Sequence, residues 1–264
     1  MKYYSIIASG IMFALMSCGG NKTDENPAET DSVVADTAAD RADDSYEQTL
    51  YETSDGYRHV DELFDDFLFT FVRSRQLQKE RRNKNVGGDF SFMCGDYTTN
   101  FFSNKRELSL KEDTLLFNAV VEKINLNERN ITEFYFKKQN GRWQLVSSKK
   151  KGFDESDMKD FLDFYAKFSS DSTFEEESLA GSIRFSMMDP EADDQEVDGT
   201  IDRAQFPAMC SEIPHGIISN IRYGQRYSGK RKIMLQKLSM GDGMSETFTF
   251  EKRGDDWKLT GYEN

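Results

Sequence analysis

Few residues in this chain combine the type and spacing that chemistry needs. Histidine occurs only as His59 and His215. His215 stands in Ile213-Pro214-His215-Gly216, a Pro/Gly turn. A catalytic imidazole needs a nucleophile or an orienting carboxylate close in space, and no local signature supplies one. The sharpest metal candidate is Asp194-x-Glu196-x-Asp198-Gly199-x-Ile201-Asp202. Oxygens recur there at alternate positions around a sixth-position Gly, which lets a chain wrap a hard cation. Position twelve, where a bidentate Glu is expected, is Gln205. Asp198-Gly199 is also a preferred hairpin turn, and that simpler reading is taken. No catalytic pair, metal or cofactor is assigned.

The aromatic residues are better organised. Phe134, Phe136, Trp143 and Leu145 recur at constant offset as Phe248, Phe250, Trp257 and Leu259. Each set reads as a hairpin, Phe-x-Phe on one strand and Trp-x-Leu on the next, with a polar Gly-containing turn between. Phe134, Phe136, Trp143, Phe248, Phe250 and Trp257 could line a ligand pocket, although such residues are more often core. Upstream, Phe64, Phe67, Leu68 and Phe71 share the spacing of Phe161, Phe164, Tyr165 and Phe168. Both are i, i+3, i+4, i+7 stripes and predict amphipathic helices. Asp61 and either Ser156 or Asp157 are candidate caps or first-turn acids. The basic run from Arg73 through Arg75, Lys79, Arg81 and Arg82 to Lys84 reads as the solvated face of the first helix. It could also meet an anionic glycan or lipid head group. Long strands are expected over Leu115–Ile124 and Lys232–Met240. Each repeat thus runs helix, irregular middle, long strand, hairpin, and the junction falls near Lys149-Lys150-Lys151-Gly152.

The chain has 264 residues, enough for two domains of about 100 residues each. Mean hydropathy is −0.70, so the folded part should be soluble. The net charge of −13 is uneven: Gly19 to His59 carries eleven acids against three bases, leaving about −6 from Val60 onward. No nucleic-acid partner is expected, since phosphate recognition needs a positive face. The 19–57 stretch is poor in large apolar residues and should be a disordered spacer. Within it, Asp31-Ser32-Val33 and Asp36-Thr37-Ala38 resemble an O-glycosylation tripeptide of some Gram-negative secreted proteins. Lys22-Thr23-Asp24-Glu25 loosely resembles a surface-export signal.

At the start, Lys2 precedes an apolar run to Met16, too short for a permanent membrane span. The run ends Leu15-Met16-Ser17-Cys18-Gly19-Gly20, which resembles a bacterial lipobox. That resemblance implies cleavage before Cys18, a diacylglyceryl thioether on it, and membrane attachment through two or more acyl chains. The remaining thiols, Cys94 and Cys210, could pair in an oxidising envelope or stay separate.

A helix followed by a curved antiparallel sheet that ends in these hairpins resembles the nuclear transport factor two-like, or cystatin-like, fold. Lipobox, tether and tandem units together look like an uncharacterised lipoprotein family of Gram-negative gut anaerobes. The resemblance implies two tandem α+β domains with pockets between helix and sheet, and does not imply an activity. Enzymes of such a fold place an Asp, His or Tyr deep in the cone, where Tyr135, Tyr165, Tyr223 and Tyr227 are candidates. Tyr135, alternating with two core phenylalanines, should point away. The expected organisation is a signal peptide over 1–17, a tether over 18–57, and α+β domains over 58–152 and 153–264. The expected location is the outer membrane, on its periplasmic or surface face. The expected role is a non-catalytic binding or assembly module for a small molecule, glycan or protein. The alternatives are a small enzyme of isomerase or hydrolase type, and a structural envelope protein.

Overall fold

The computed structural model describes residues 50–53, 56–59, 63–113, 115–188, 196–210, 212–241 and 243–264. The lipobox with Cys18, the tether before residue 50, Asp61 and Asp194 lie outside them. The expected tether gives way before residue 57: β1 (Leu50–Thr53) and β2 (Gly56–His59) pair as an antiparallel hairpin.

Both apolar stripes form helices. In α1 (Phe64–Arg73) all four stripe residues are buried, with Asp65 and Asp66 in the first turn and Arg73 in the last, as the helix dipole favours. The helix stops at Ser74, whose extended backbone breaks the ladder and whose Oγ accepts from Leu77 N to cap α2 (Arg75–Glu80). One helix carrying the whole basic run is therefore not formed. Arg81 leaves the solvated face: it is buried, and its guanidinium donates to the Trp143 carbonyl. In α3 (Lys159–Phe168), Phe161, Tyr165 and Phe168 are buried.

Strands β3 (Tyr97–Phe102), β4 (Asn118–Asn125), β5 (Asn130–Gln139) and β6 (Arg142–Gly152) follow α2. After α3 come α4 (Ser172–Ser178), β7 (Leu179–Met188), β8 (Glu196–Asp202) and α5 (Phe206–Met209), then β9 (Ile217–Arg222), β10 (Lys232–Ser239), β11 (Ser245–Arg253) and β12 (Asp256–Glu263). The expected hairpins are β5–β6 and β11–β12. Asn140 and Gly141 turn the first of them, both with positive φ, as a type I′ turn requires.

Besides the β1-β2 hairpin, the described strands form two larger sheets, ordered β6-β5-β4-β9 and β3-β10-β11-β12-β7-β8. The boundary expected at residue 152 is thus crossed twice. β3 belongs by sequence to the first repeat but pairs with β10, and β9 belongs to the second but pairs with β4. Core packing explains the exchange. Phe101 on β3 stacks edge-on against Phe161 and Tyr165 of α3. Ile221 on β9 and Tyr223 just beyond it enter the core under α1. Each exchanged strand buries aromatic or aliphatic surface in the other repeat's core, at about 1.5–3 kcal/mol per fully buried large side chain. Residues Gln48–Asn264 consequently form one compact unit, and the expected junction lies inside β6.

Asp198-Gly199 does not make a turn. It lies within β8, with Phe185 opposite Gly199. A Cβ at Gly199 would fall 2.5 Å from the Phe185 ring, so the glycine makes room for the aromatic side chain across the pair.

Candidate functional site

A cluster of charged groups forms where α3 begins. Met158 N donates to Ser156 Oγ, so serine satisfies the orphan amide there. Asp157, the other candidate cap, turns elsewhere. Its Oδ2 accepts from Arg222 Nη2 at 2.8 Å and from Tyr227 N at 3.0 Å. Its Oδ1 is buried with no hydrogen-bond partner among the described residues.

Arg222 continues the network to Glu122, 3.5 Å away, while Asn220 donates to the second oxygen of Glu122 at 2.7 Å. Alternation along β4 and β5 places Glu122 directly opposite Glu133, on the sheet face turned away from α1. Glu133 is held by Lys151 in a buried pair and by the Tyr135 hydroxyl. Burial pushes the Glu122 carboxyl up, against the pull of Arg222. Burial and the hydrogen bond to Glu133 push Tyr135 up to about 12. The result is a satisfied polar stripe across the back of the first sheet.

Beside Asp157 lies a cavity of about 300 Å³ whose walls include Asp160, Tyr227, Lys230, Arg231, Lys252 and Trp257. Asp160 pairs with Lys252 and accepts from the Trp257 indole at 3.4 Å. The Lys252 hydrogen bond holds its carboxyl below the ordinary value. Tyr227 is fixed at both ends, its amide on Asp157 and its hydroxyl donating to the Phe101 carbonyl at 2.5 Å. A second cavity, of about 480 Å³, opens at the far end of the β10–β11 pair. There Lys237 and the Tyr262 hydroxyl each donate to Glu246 at 2.6 Å.

A family model described as a domain of unknown function, DUF4348, matches residues 42–264. The chain belongs to that family. Among solved structures it is similar to the crystal structure of an NTF2-like protein from Bacteroides fragilis. The two are 27% identical with a TM-score of 0.71, over 77% of this chain and 96% of that one. No curated protein matches. The α+β fold with curved sheets expected from the helix-and-hairpin pattern thus has an NTF2-like neighbour.

In this DUF4348 chain the six aromatic candidates occupy different places. Phe134, Phe136 and Trp143 pack with Phe64 and Phe71 in one core, and Phe248 and Phe250 lie in the other. Of the six, Trp257 alone borders the 300 Å³ cavity. Tyr165 is buried and donates to the Pro214 carbonyl, while Tyr223 donates to Asp65, whose carboxyl burial pushes up. Tyr135 does point away from the phenylalanine core. His215 is exposed beside Glu212. Cys94 and Cys210 are free thiols, so no disulfide joins them. No three metal-ligating side chains converge among the described residues. Sequence reasoning missed Arg222, Glu122, Asn220 and the unpaired oxygen of Asp157. The one available signal was a polar residue inside an apolar strand: Glu122 follows Val120-Val121, and Asn220 sits between Ser219 and Ile221.

Proposed function

We propose that this DUF4348 chain is an envelope lipoprotein, attached at Cys18 to the outer membrane on its periplasmic or surface face. Its two helix-and-sheet units, read as interlocked tandem NTF2-like domains, serve as a non-catalytic binding module for a small molecule. One observation carries the binding reading. The cavity beside Asp157 has walls fixed in advance by paired charges and a doubly anchored tyrosine. A pre-organised wall lowers the ordering cost of binding, and about 300 Å³ is at the small end of ligand pockets. Charge pairing favours holding over chemistry. A carboxylate kept ionised by a lysine, as Asp160 is, makes a weak base near neutrality.

The aromatic filling of both cores favours a second reading, a structural envelope protein whose cavity takes no ligand. Native mass spectrometry of the protein from its own cells separates the two. A non-covalent small-molecule adduct, lost in Asp157→Ala, supports the binding module. A bare mass supports the structural reading. For the anchor, Cys18→Ser should abolish incorporation of radioactive fatty acid, and persistent labelling would overturn the lipoprotein assignment.

A further inference from the structure

The cavity's charges do not cancel. Asp160 is matched by Lys252, and Asp157 by Arg222 and the Tyr227 amide. Lys230 and Arg231 have no carboxylate partner among the described residues. Arg231 donates to the carbonyls of Lys252 and Gly254, at 3.0 and 3.2 Å, which fixes the guanidinium without neutralising it. Two cations with no ion-pair partner among the described residues therefore line this cavity, and its charged side chains, Asp157 and Asp160 against Lys230, Arg231 and Lys252, leave a positive excess in a chain whose net charge is −13.

The backbone holds them there. Lys230 N donates to the Tyr227 carbonyl, closing a tight turn, and Gly229 takes the positive φ of 69° that such a turn demands at its third position. Because Tyr227 is anchored at its amide and its hydroxyl, the turn presents Lys230 and Arg231 from a fixed base. Tyr227 and Trp257 add aromatic wall beside the charges.

We infer that this cavity takes a small organic anion of about monosaccharide size, bearing a carboxylate or phosphate. The anionic group meets Lys230 and Arg231, and the body lies against Tyr227 and Trp257. This rests on the cavity being a binding site, and the test separates the two claims. Isothermal titration at low salt uses glucuronate, glucose 6-phosphate, glucose and glucosamine as probes, alongside the mass of any native adduct. The expected result is saturable binding of at least one anion, with glucose and glucosamine about tenfold or more weaker. The Lys230→Glu/Arg231→Glu variant should lose that binding while still unfolding cooperatively with only a small drop in melting temperature, since both side chains are exposed and only the two exposed Arg231 hydrogen bonds are lost. The preferred anion tells carboxylate from phosphate. Equal or tighter binding of glucose or glucosamine, a neutral or cationic native adduct, or anion binding untouched by the charge reversal would overturn the anion assignment and leave the binding site standing. Silence from all four probes with no native adduct would overturn both.

Discussion

Asn100 and Asn220 hold the two sheet edges together by a reciprocal exchange. Asn100 Oδ1 accepts the backbone N–H of Ile221 at 2.6 Å, and Asn220 Oδ1 accepts that of Phe101 at 2.9 Å. One residue earlier, Thr99 and Ser219 do the same with their hydroxyls: each donates to the other's carbonyl and accepts from the other's amide. Exposed strand edges invite uncontrolled pairing. Here the outer edges of β3 and β9 satisfy each other through side chains. An unpaired buried amide costs about 1–3 kcal/mol, so Asn220→Ala and Asn100→Ala should each destabilise by roughly that amount. Asn220→Ala should cost more, because Asn220 is fully buried and also serves Glu122. Urea denaturation checks this, and two unchanged midpoints would count against the junction.

Trp143 and Trp257 occupy equivalent hairpin positions, and each meets the first aromatic of its helix edge-on, Phe64 and Phe161 respectively. Replacing either with Ala should cost about 3–5 kcal/mol, the range for a buried large aromatic. The exchanged strands tie the cores together, so both variants should still unfold in one transition. Two separate transitions in either variant would mean that the repeats fold independently.

Glu122 sets a pH signature. Its folded carboxyl lies above the ordinary 4.5 because burial disfavours the charge. A raised folded value means that the stabilising contribution is complete below the unfolded value and is lost as pH rises through the folded one. Glu122→Gln removes that loss. The melting temperature of the variant relative to the parent should therefore rise between pH 4 and pH 7. A relative fall over the same range would show that the pairing with Arg222 outweighs desolvation.

The two thiols should differ in reactivity. Burial pushes Cys210 up to about 12, leaving almost no thiolate at neutral pH, whereas Cys94 is exposed. Treatment of the folded protein with a chromogenic disulfide reagent should modify Cys94 quickly and Cys210 only on unfolding. Equal rates would contradict the burial of Cys210.

Helices and hairpins were legible because one face of each is buried, and burial imposes a period that the sequence must carry. Phe64, Phe67, Leu68 and Phe71 show it for α1, and Phe248, Phe250, Trp257 and Leu259 for β11–β12. Pairing partners were not legible. Nothing in Tyr97-Thr98-Thr99-Asn100-Phe101-Phe102 says that its neighbour is β10 and not β4, since both offer the same alternation. Asp157 shows the same limit for the site. In sequence it stands just before a helix, where acids cap, yet its partner Arg222 is 65 residues away and arrives on an exchanged strand. Asp198-Gly199 looked like a turn because local preference favours one, and pairing with β7 overrode it. The candidate site was visible through Trp257 and Tyr227, both of which line it; the charges around them are assembled by the fold.

The binding reading meets its most direct test in a crystal structure of the mature protein purified from its own cells without harsh washing. The expected result is one small anionic molecule in the cavity between Trp257 and Arg231, near Asp157. The same walls enclosing only solvent, with a partner bound elsewhere on the protein, would contradict it.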